Sequence, residues 1–362
     1  MSLPWFILST LLLLLLVSVI YQRYALKRVS YTRYFSAAAA YEGEQIEMIE
    51  EIVNRKLLPL PWLRLESSFA RGLKFGRQEN LGVSSGEIYQ NHISMFYMRP
   101  YRKIKRRHVV RCEQRGLFRL ESVTMTSGDL FGMSRHSKTF PLQLELLVYP
   151  GITNFYELPL PVHSWLGELP VKRWIVEDPF LIAGTREYSP GDSLGAMNWK
   201  ATARTGIMQV HQKDHTADSR LILCLNVEIS DSMWRNITDA ARIELGIRYT
   251  AMVADYAIGH GLETGLLCNG RLEGGGERNP VTSGPMGSLE EVLGLLARLQ
   301  LDWTIPMSRL LEHEAESCPE GNDYLIITCH RGQELQQVAE ELRLLGNGVA
   351  WLDIPGEERE SA

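Results

Sequence analysis

No charged side chain occurs between Met1 and Gln22, and the stretch from Pro4 to Tyr21 contains the unbroken run Leu11-Leu-Leu-Leu-Leu-Leu16. A helix of this length, rising about 1.5 Å per residue, just spans a hydrocarbon core of roughly 30 Å. A transmembrane helix over residues 1–22 is therefore expected. A cleaved secretory signal has basic residues before its apolar run and small residues after it. Here nothing basic precedes the run, and Ile20-Tyr21-Gln22 is a poor cleavage site. Arg23, Lys27, Arg28 and Arg33 all come before the first acid, Glu42. That bias predicts a single pass through the cell membrane with the bulk of the chain in the cytoplasm. Trp5 and Tyr21 stand near the two ends, as interfacial anchors would. The cysteines, Cys112, Cys224, Cys268, Cys318 and Cys329, are odd in number and scattered, which also fits a reducing compartment.

The 362 residues leave room for two domains, each with its own core. A net charge of -5 argues against a chain built to hold nucleic acid. Between residues 30 and 150 the pattern is that of short strands. Gln45-Ile-Glu-Met-Ile-Glu, Trp62-Leu-Arg-Leu-Glu and Gly116-Leu-Phe-Arg-Leu-Glu-Ser-Val-Thr alternate apolar with polar, and each is bounded by turn formers. Repeated strands of this kind predict an antiparallel β-sandwich. Gly128-Asp129 and Gly132 punctuate a loop in which Phe131 is expected to bury. Arg99, Arg102, Lys103, Lys105, Arg106 and Arg107 crowd one segment, and read as a solvated strand face, or else as a surface for anionic lipid or for nucleic acid.

Residues 151–219 form a connector rich in proline at its start, and it carries the densest chemistry in the chain. Arg186-Glu-Tyr188-Ser-Pro-Gly191-Asp192 is followed by Asn198-Trp199-Lys200-Ala-Thr-Ala-Arg204-Thr-Gly206. Pro190-Gly191-Asp192 favours a tight turn, Trp199 is expected to anchor the segment by burial, and Arg186, Lys200 and Arg204 are expected to pair with Glu187 and Asp192 or to meet an external anion. No nucleophile stands with a base, since Ser189 and Ser193 have no nearby His, so a clamp or docking surface is expected rather than an enzyme.

The order of these residues resembles the signature of the domain-of-unknown-function 58 family, and Arg115-Gly116-Leu-Phe, Asp129-Leu-Phe131-Gly132 and Val148-Tyr149-Pro150 resemble its earlier landmarks. The resemblance implies a membrane-linked bacterial protein, a C-terminal domain of von Willebrand factor type A kind, and work beside a MoxR-type AAA+ ATPase. The chain departs from the family at Gly195, where an Arg is usual, and at Asn198, where an Asp is common.

From residue 220 to 356 the pattern is that of an α/β domain with a doubly wound sheet. Leu221-Ile-Leu-Cys-Leu-Asn-Val227 is a continuous apolar run suited to a buried parallel strand, and helical and strand patterns then alternate to Ile354. After the first strand comes Glu228-Ile-Ser230-Asp231-Ser232, similar to the D-x-S-x-S metal motif of von Willebrand type A domains, with Thr304 as the matching threonine. Such a motif would bind magnesium. Here Glu228 replaces the leading Asp, and Arg331 follows the later strand where the motif has its last Asp. A degenerate loop without a cofactor is expected, and with it a membrane-anchored cytoplasmic adaptor. A magnesium-dependent binder or hydrolase using Glu228, Ser230, Ser232 and Thr304 is the alternative.

Overall fold

The computed structural model describes residues 3–70, 72–76, 81–85, 89–152, 182–188, 197–213, 220–230, 239–259, 261–273, 280–317 and 321–356. They fall into two compact units, Met1–Gly151 and Ile152–Ala362.

The first unit opens with helix α1 (Leu3–Tyr24), whose most apolar 18-residue window has a mean hydropathy of 2.5. By length and composition α1 could cross a bilayer. Its leucines face outward, as at Leu12, which is 69% exposed. Its end is different, because Tyr21, Ala25 and Leu26 bury among Val29, Leu63 and Met98 and fix the helix to the domain below.

That domain has two sheets. One contains β1 (Val29–Phe35), β3 (Gln45–Asn54), β8 (Lys103–Cys112) and β5 (Leu73–Phe75) in that order. The other runs β2 (Ala39–Tyr41), β10 (Arg135–Tyr149), β9 (Gly116–Gly128), β4 (Leu60–Ala70), β7 (Tyr89–Met98) and β6 (Leu81–Ser85). Pairing is antiparallel except between β2 and β10. Alternate residues of both sheets meet in two apolar clusters, one around Ile52, Leu65 and Val123, the other around Met48, Val110 and Leu146. This is a β-sandwich, as the alternating sequence predicts.

Between the two clusters lies a buried polar layer. Inward positions of β1, β3 and β8 place Arg33, Glu50, Arg106 and His108 side by side. The Glu50 carboxylate ion-pairs with Arg33, accepts from the Tyr31 hydroxyl at 2.8 Å, and meets His108 Nε2 at 2.9 Å. Burial disfavours the charge on Glu50, but Arg33 and the hydrogen bond from His108 overrule it, and its carboxyl sits well below the usual range. On the facing sheet the His92 ring packs against Phe69 and Phe75, with centroids 4.7 and 4.2 Å apart. Burial, reinforced by the nearby Arg33, pushes the His92 imidazole down to about 4.

The crowded bases that lie on β8 resolve into a paired strand face, while Arg99 and Arg102 stand exposed in the turn before it. Lys103 and Lys105 meet Glu51 at 2.7 and 3.5 Å, Arg107 meets Glu47 at 3.8 Å, and Arg106 turns inward. Phe131 is not buried. In the loop joining β9 to β10 the buried residue is Asp129, whose carboxylate accepts from the backbone N–H groups of Phe131, Met133 and Ser134 at 3.1, 2.9 and 3.0 Å. Trp62 Nε1 donates to the Asp129 carbonyl at 2.9 Å. The acid takes the interior position, and Phe131 is left 60% exposed. Gly128 is required here, since a Cβ would stand 1.9 Å from the Ser134 carbonyl oxygen.

In the second unit the hairpin of β11 (Ile182–Glu187) and β12 (Gln209–Lys213) encloses α2 (Trp199–Thr205). A six-stranded sheet follows, with β13 (Arg220–Leu225) between β14 (Thr264–Leu272) and β17 (Asn322–Thr328), and β18 (Gly348–Asp353) beyond β17, all parallel. Two strands not expected from sequence, β15 (Pro280–Met286) and β16 (Leu299–Trp303), pair antiparallel with β14. Helices cover both faces. On one, α5 (Met307–Ser317) and α6 (Gln333–Leu344) bury Leu310, Leu311, Val338 and Leu342 against Ile222, Cys224, Tyr324 and Ile326. On the other lie α3 (Ala240–Gly259) and α4 (Leu289–Arg298). Gly246 lets α3 settle there, because a Cβ would stand 2.4 Å from Ile354 Cδ1.

The His92 environment gives a pH prediction. The unfolded chain takes up a proton on His92 below about pH 6.5, whereas the folded chain resists until about pH 4, so His92 withdraws stability as pH falls through that window. The loss is on the order of 2 kcal/mol. Glu50 adds a second loss below about pH 4.5, where the unfolded carboxylate protonates first. His92→Phe, which keeps the packing on Phe69 and Phe75, should flatten the stability profile between pH 4.5 and 6.5 in denaturant titrations. It should leave the fall below that range in place.

Candidate functional site

The hairpin holds α2 by closely spaced hydrogen bonds. Tyr188 N–H donates to the Met208 carbonyl at 2.9 Å, and Asn198 N–H to the Gln209 carbonyl at 2.8 Å. Asn198 caps α2, its Oδ1 accepting from Ala201 N–H at 2.9 Å. Gly206, at φ 74°, ends the helix in the left-handed conformation that a side chain would strain. Thr202 Oγ1 accepts from Gln209 N–H at 3.0 Å and ties helix to strand.

This frame does not bury Trp199, which is 67% exposed at the first position of α2. The frame is closed by the backbone and by Asn198, so no aromatic anchor is needed. Ile207 and Met208 are also more than half exposed, and Lys200 and Arg204 stand exposed on the same short helix. Arg186 lies opposite Val210 on β11, and Tyr188, just past its end, is half-buried. Gly191, Asp192 and Gly195 lie outside the described residues.

A second polar assembly occupies the carboxyl ends of β13, β14 and β17. The Asn269 amide donates to Asn226 Oδ1 at 3.0 Å, and Asn269 Oδ1 accepts from Val227 N–H at 2.9 Å. Asn226 donates in turn to Thr328 Oγ1 at 3.1 Å. Glu228 joins this network, its Oε2 accepting from Asn269 at 3.3 Å and from Met307 N–H, the first residue of α5, at 3.1 Å. Thr304 donates through its hydroxyl to the Asn269 carbonyl at 3.0 Å. Glu228 and Thr304 therefore converge on Asn269, whereas Ser230 is exposed and Ser232 lies outside the described residues. Arg331 is spent elsewhere, on Asp353 at 2.7 Å, with its guanidinium over the Trp351 ring. Among the described residues no three His, Cys, Asp or Glu side chains stand close enough to share an ion. Asn226, Asn269 and Thr328 were not singled out from sequence. The only signal was an Asn closing each of two apolar strand runs.

The family model described as "Protein of unknown function DUF58" matches residues 184–290. Residues 184–290 are a DUF58 domain. A relative, the uncharacterized protein YeaD of Bacillus subtilis (strain 168), is 20% identical over 346 residues, 93% of this chain and 79% of the relative. Solved structures with partial likeness include a cohesin from Archaeoglobus fulgidus (12% identity, 33% of this chain, 91% of that one, TM-score 0.21). The PapD-like domain 7 of human CEP192 is another (14% identity, 34% of this chain, 87% of that one, TM-score 0.22).

The DUF58 match takes in the hairpin, β13 with Glu228, α3 and β14 with Asn269. Thr304 lies beyond it. In this DUF58 domain the Asn198 cap does what an Asp would do, since the two residues cap about equally well. Asn198→Ala should cost about 1 kcal/mol locally and speed amide exchange across α2 roughly fivefold, read by mass spectrometry. Asn198→Asp should leave exchange near its original rate.

Proposed function

We propose that this protein is a membrane-anchored adaptor whose bulk lies in the cytoplasm and whose β11–α2–β12 hairpin docks a protein partner. The observation that carries this reading is the display of Trp199, Ile207 and Met208 beside Lys200 and Arg204 on a frame closed by its own hydrogen bonds. Trp199 and Arg204 stand exposed on the same short helix, and protein interfaces concentrate those two residue types in their energetic centres. The family resemblance supplies the partner class, a MoxR-type AAA+ ATPase, and reads the C-terminal sheet as a von Willebrand type A-like domain. The parallel sheet with helices on both faces supports that reading of the domain.

Affinity capture with the full-length chain from detergent-solubilised membranes tests the docking face. Trp199→Ala combined with Arg204→Ala should weaken recovery of the partner by on the order of tenfold or more. Full retention in that double variant would remove the docking role.

The convergence of Glu228 and Thr304 on Asn269 favours one second reading, a magnesium-dependent binder or hydrolase. In it Glu228, Ser230, Ser232 and Thr304 would supply oxygen ligands. Calorimetry with magnesium on the intact protein separates the two readings. Binding abolished by Glu228→Ala would favour the metal, and no binding heat in the parent chain would dismiss it.

A further inference from the structure

The end of the sandwich from which α1 emerges has a surface that the adaptor reading leaves unused. The loop joining β9 to β10 displays Leu130, Phe131 and Met133, at 67, 60 and 61% exposed. Soluble surfaces scatter single apolar side chains but seldom present three large ones within four positions. The display is built in: Asp129, fully buried, holds the loop backbone through three N–H groups, and Trp62 holds the Asp129 carbonyl.

The place of this loop identifies what covers it. Ser18 of α1 hydrogen-bonds the Asp129 carboxylate. Ser18 lies four residues before Gln22, roughly 6 Å back along the helix, so the loop stands level with the last turns of the apolar segment. The neighbouring loops are tied to the same end. Arg55 N–H donates to the Arg28 carbonyl at 2.9 Å, Tyr101 N–H to the Lys56 carbonyl at 3.3 Å, and the Asn54 amide bridges the Leu58 and Arg99 carbonyls. These segments add Tyr24 and Tyr101, both exposed. Arg23, Lys27, Arg28, Arg55, Arg99 and Arg102 are exposed around them. Asp129 is the sole acid in residues 23–28, 55–59, 99–102 and 128–134, and it is buried.

We infer that the β9–β10 loop is a second membrane contact, in which Leu130, Phe131 and Met133 enter the acyl–headgroup boundary beside α1 while the surrounding bases meet phospholipid phosphates. Apolar tips flanked by tyrosines and cations match the layering of a bilayer interface, from acyl chain to headgroup. A protein partner would not need its contact placed at the level of a hydrophobic helix. The inference rests on the reading of α1 as a membrane span, and the experiment separates the two.

The test uses the full-length chain in nanodiscs of phosphatidylcholine and phosphatidylglycerol, with Cys318 and Cys329 replaced by Ser and one environment-sensitive fluorophore attached at a time. The sites are Phe131→Cys, Leu12→Cys in α1, and Glu113→Cys, which directly follows β8 at its opposite end. Spin-labelled lipids quench according to depth. The expected result is deep quenching at 12, several-fold stronger shallow quenching at 131 than at 113, and blue-shifted emission at 131. Quenching at 12 with 131 behaving like 113 overturns the second contact alone. Absence of quenching at 12 overturns the span and this inference with it. A blue shift at 131 without lipid quenching assigns the loop to a protein partner and likewise overturns it.

Discussion

The buried carboxylate of Glu50 is the constraint on which the first unit depends. In a sheet, a slip of one residue exchanges the two faces of a strand. A slip of β1 against β3 would turn Arg33 and Tyr31 outward and leave Glu50 with much less compensation in the core, and breaking such a buried pair costs on the order of 3–5 kcal/mol. Because β1 begins at Val29, with only four residues between it and the end of α1 at Tyr24, the same pair also sets where the helix leaves the sandwich. The polar layer divides the apolar interior into two clusters and fixes how the sheets face one another, since Arg33 lies over Phe69 of the opposite sheet.

In the second unit a comparable place is held by neutral groups. Asn226 and Asn269 close the central strands by satisfying each other and the backbone just past the strand ends, where a doubly wound sheet gathers its ligand-binding groups. Glu228 fits this arrangement because its extra methylene, compared with Asp, lets the carboxylate reach Met307 at the start of α5 while still accepting from Asn269. The residue that weakens the metal motif strengthens the helix start.

Much of this fold was legible from periodicity. The apolar N-terminal helix and the alternating strands around Gln45 and Gly116 carry clear periods, and the short, β-branched-containing run at Leu221 favours a buried strand by its length. Less was legible where a side chain's fate depends on who else claims the interior. Phe131 and Trp199 were expected to bury on grounds of hydrophobicity, yet Asp129 and Asn198 close those turns through backbone bonds and leave the aromatics outside. Strand β15 was hidden by Pro280, Gly284 and Pro285, which an edge strand tolerates, and β16 follows α4 with no turn residue to announce it. Of the signature residues, Lys200 and Arg204 stand exposed on α2. The Asn network was illegible because a strand-end Asn reads locally as the start of a loop.

The burial of Tyr21, Ala25 and Leu26 in the sandwich core has a mechanical consequence. A domain hung on a flexible linker samples a hemisphere below its anchor, whereas one whose core includes the last turn of the helix cannot pivot. On the membrane reading, the first unit becomes a fixed-height post. The ten residues of β3, rising about 3.3 Å each, separate the anchored end from the opposite rim by roughly 30 Å. Tilting the helix would tilt the post, so forces within the bilayer plane would be felt at its rim as displacement.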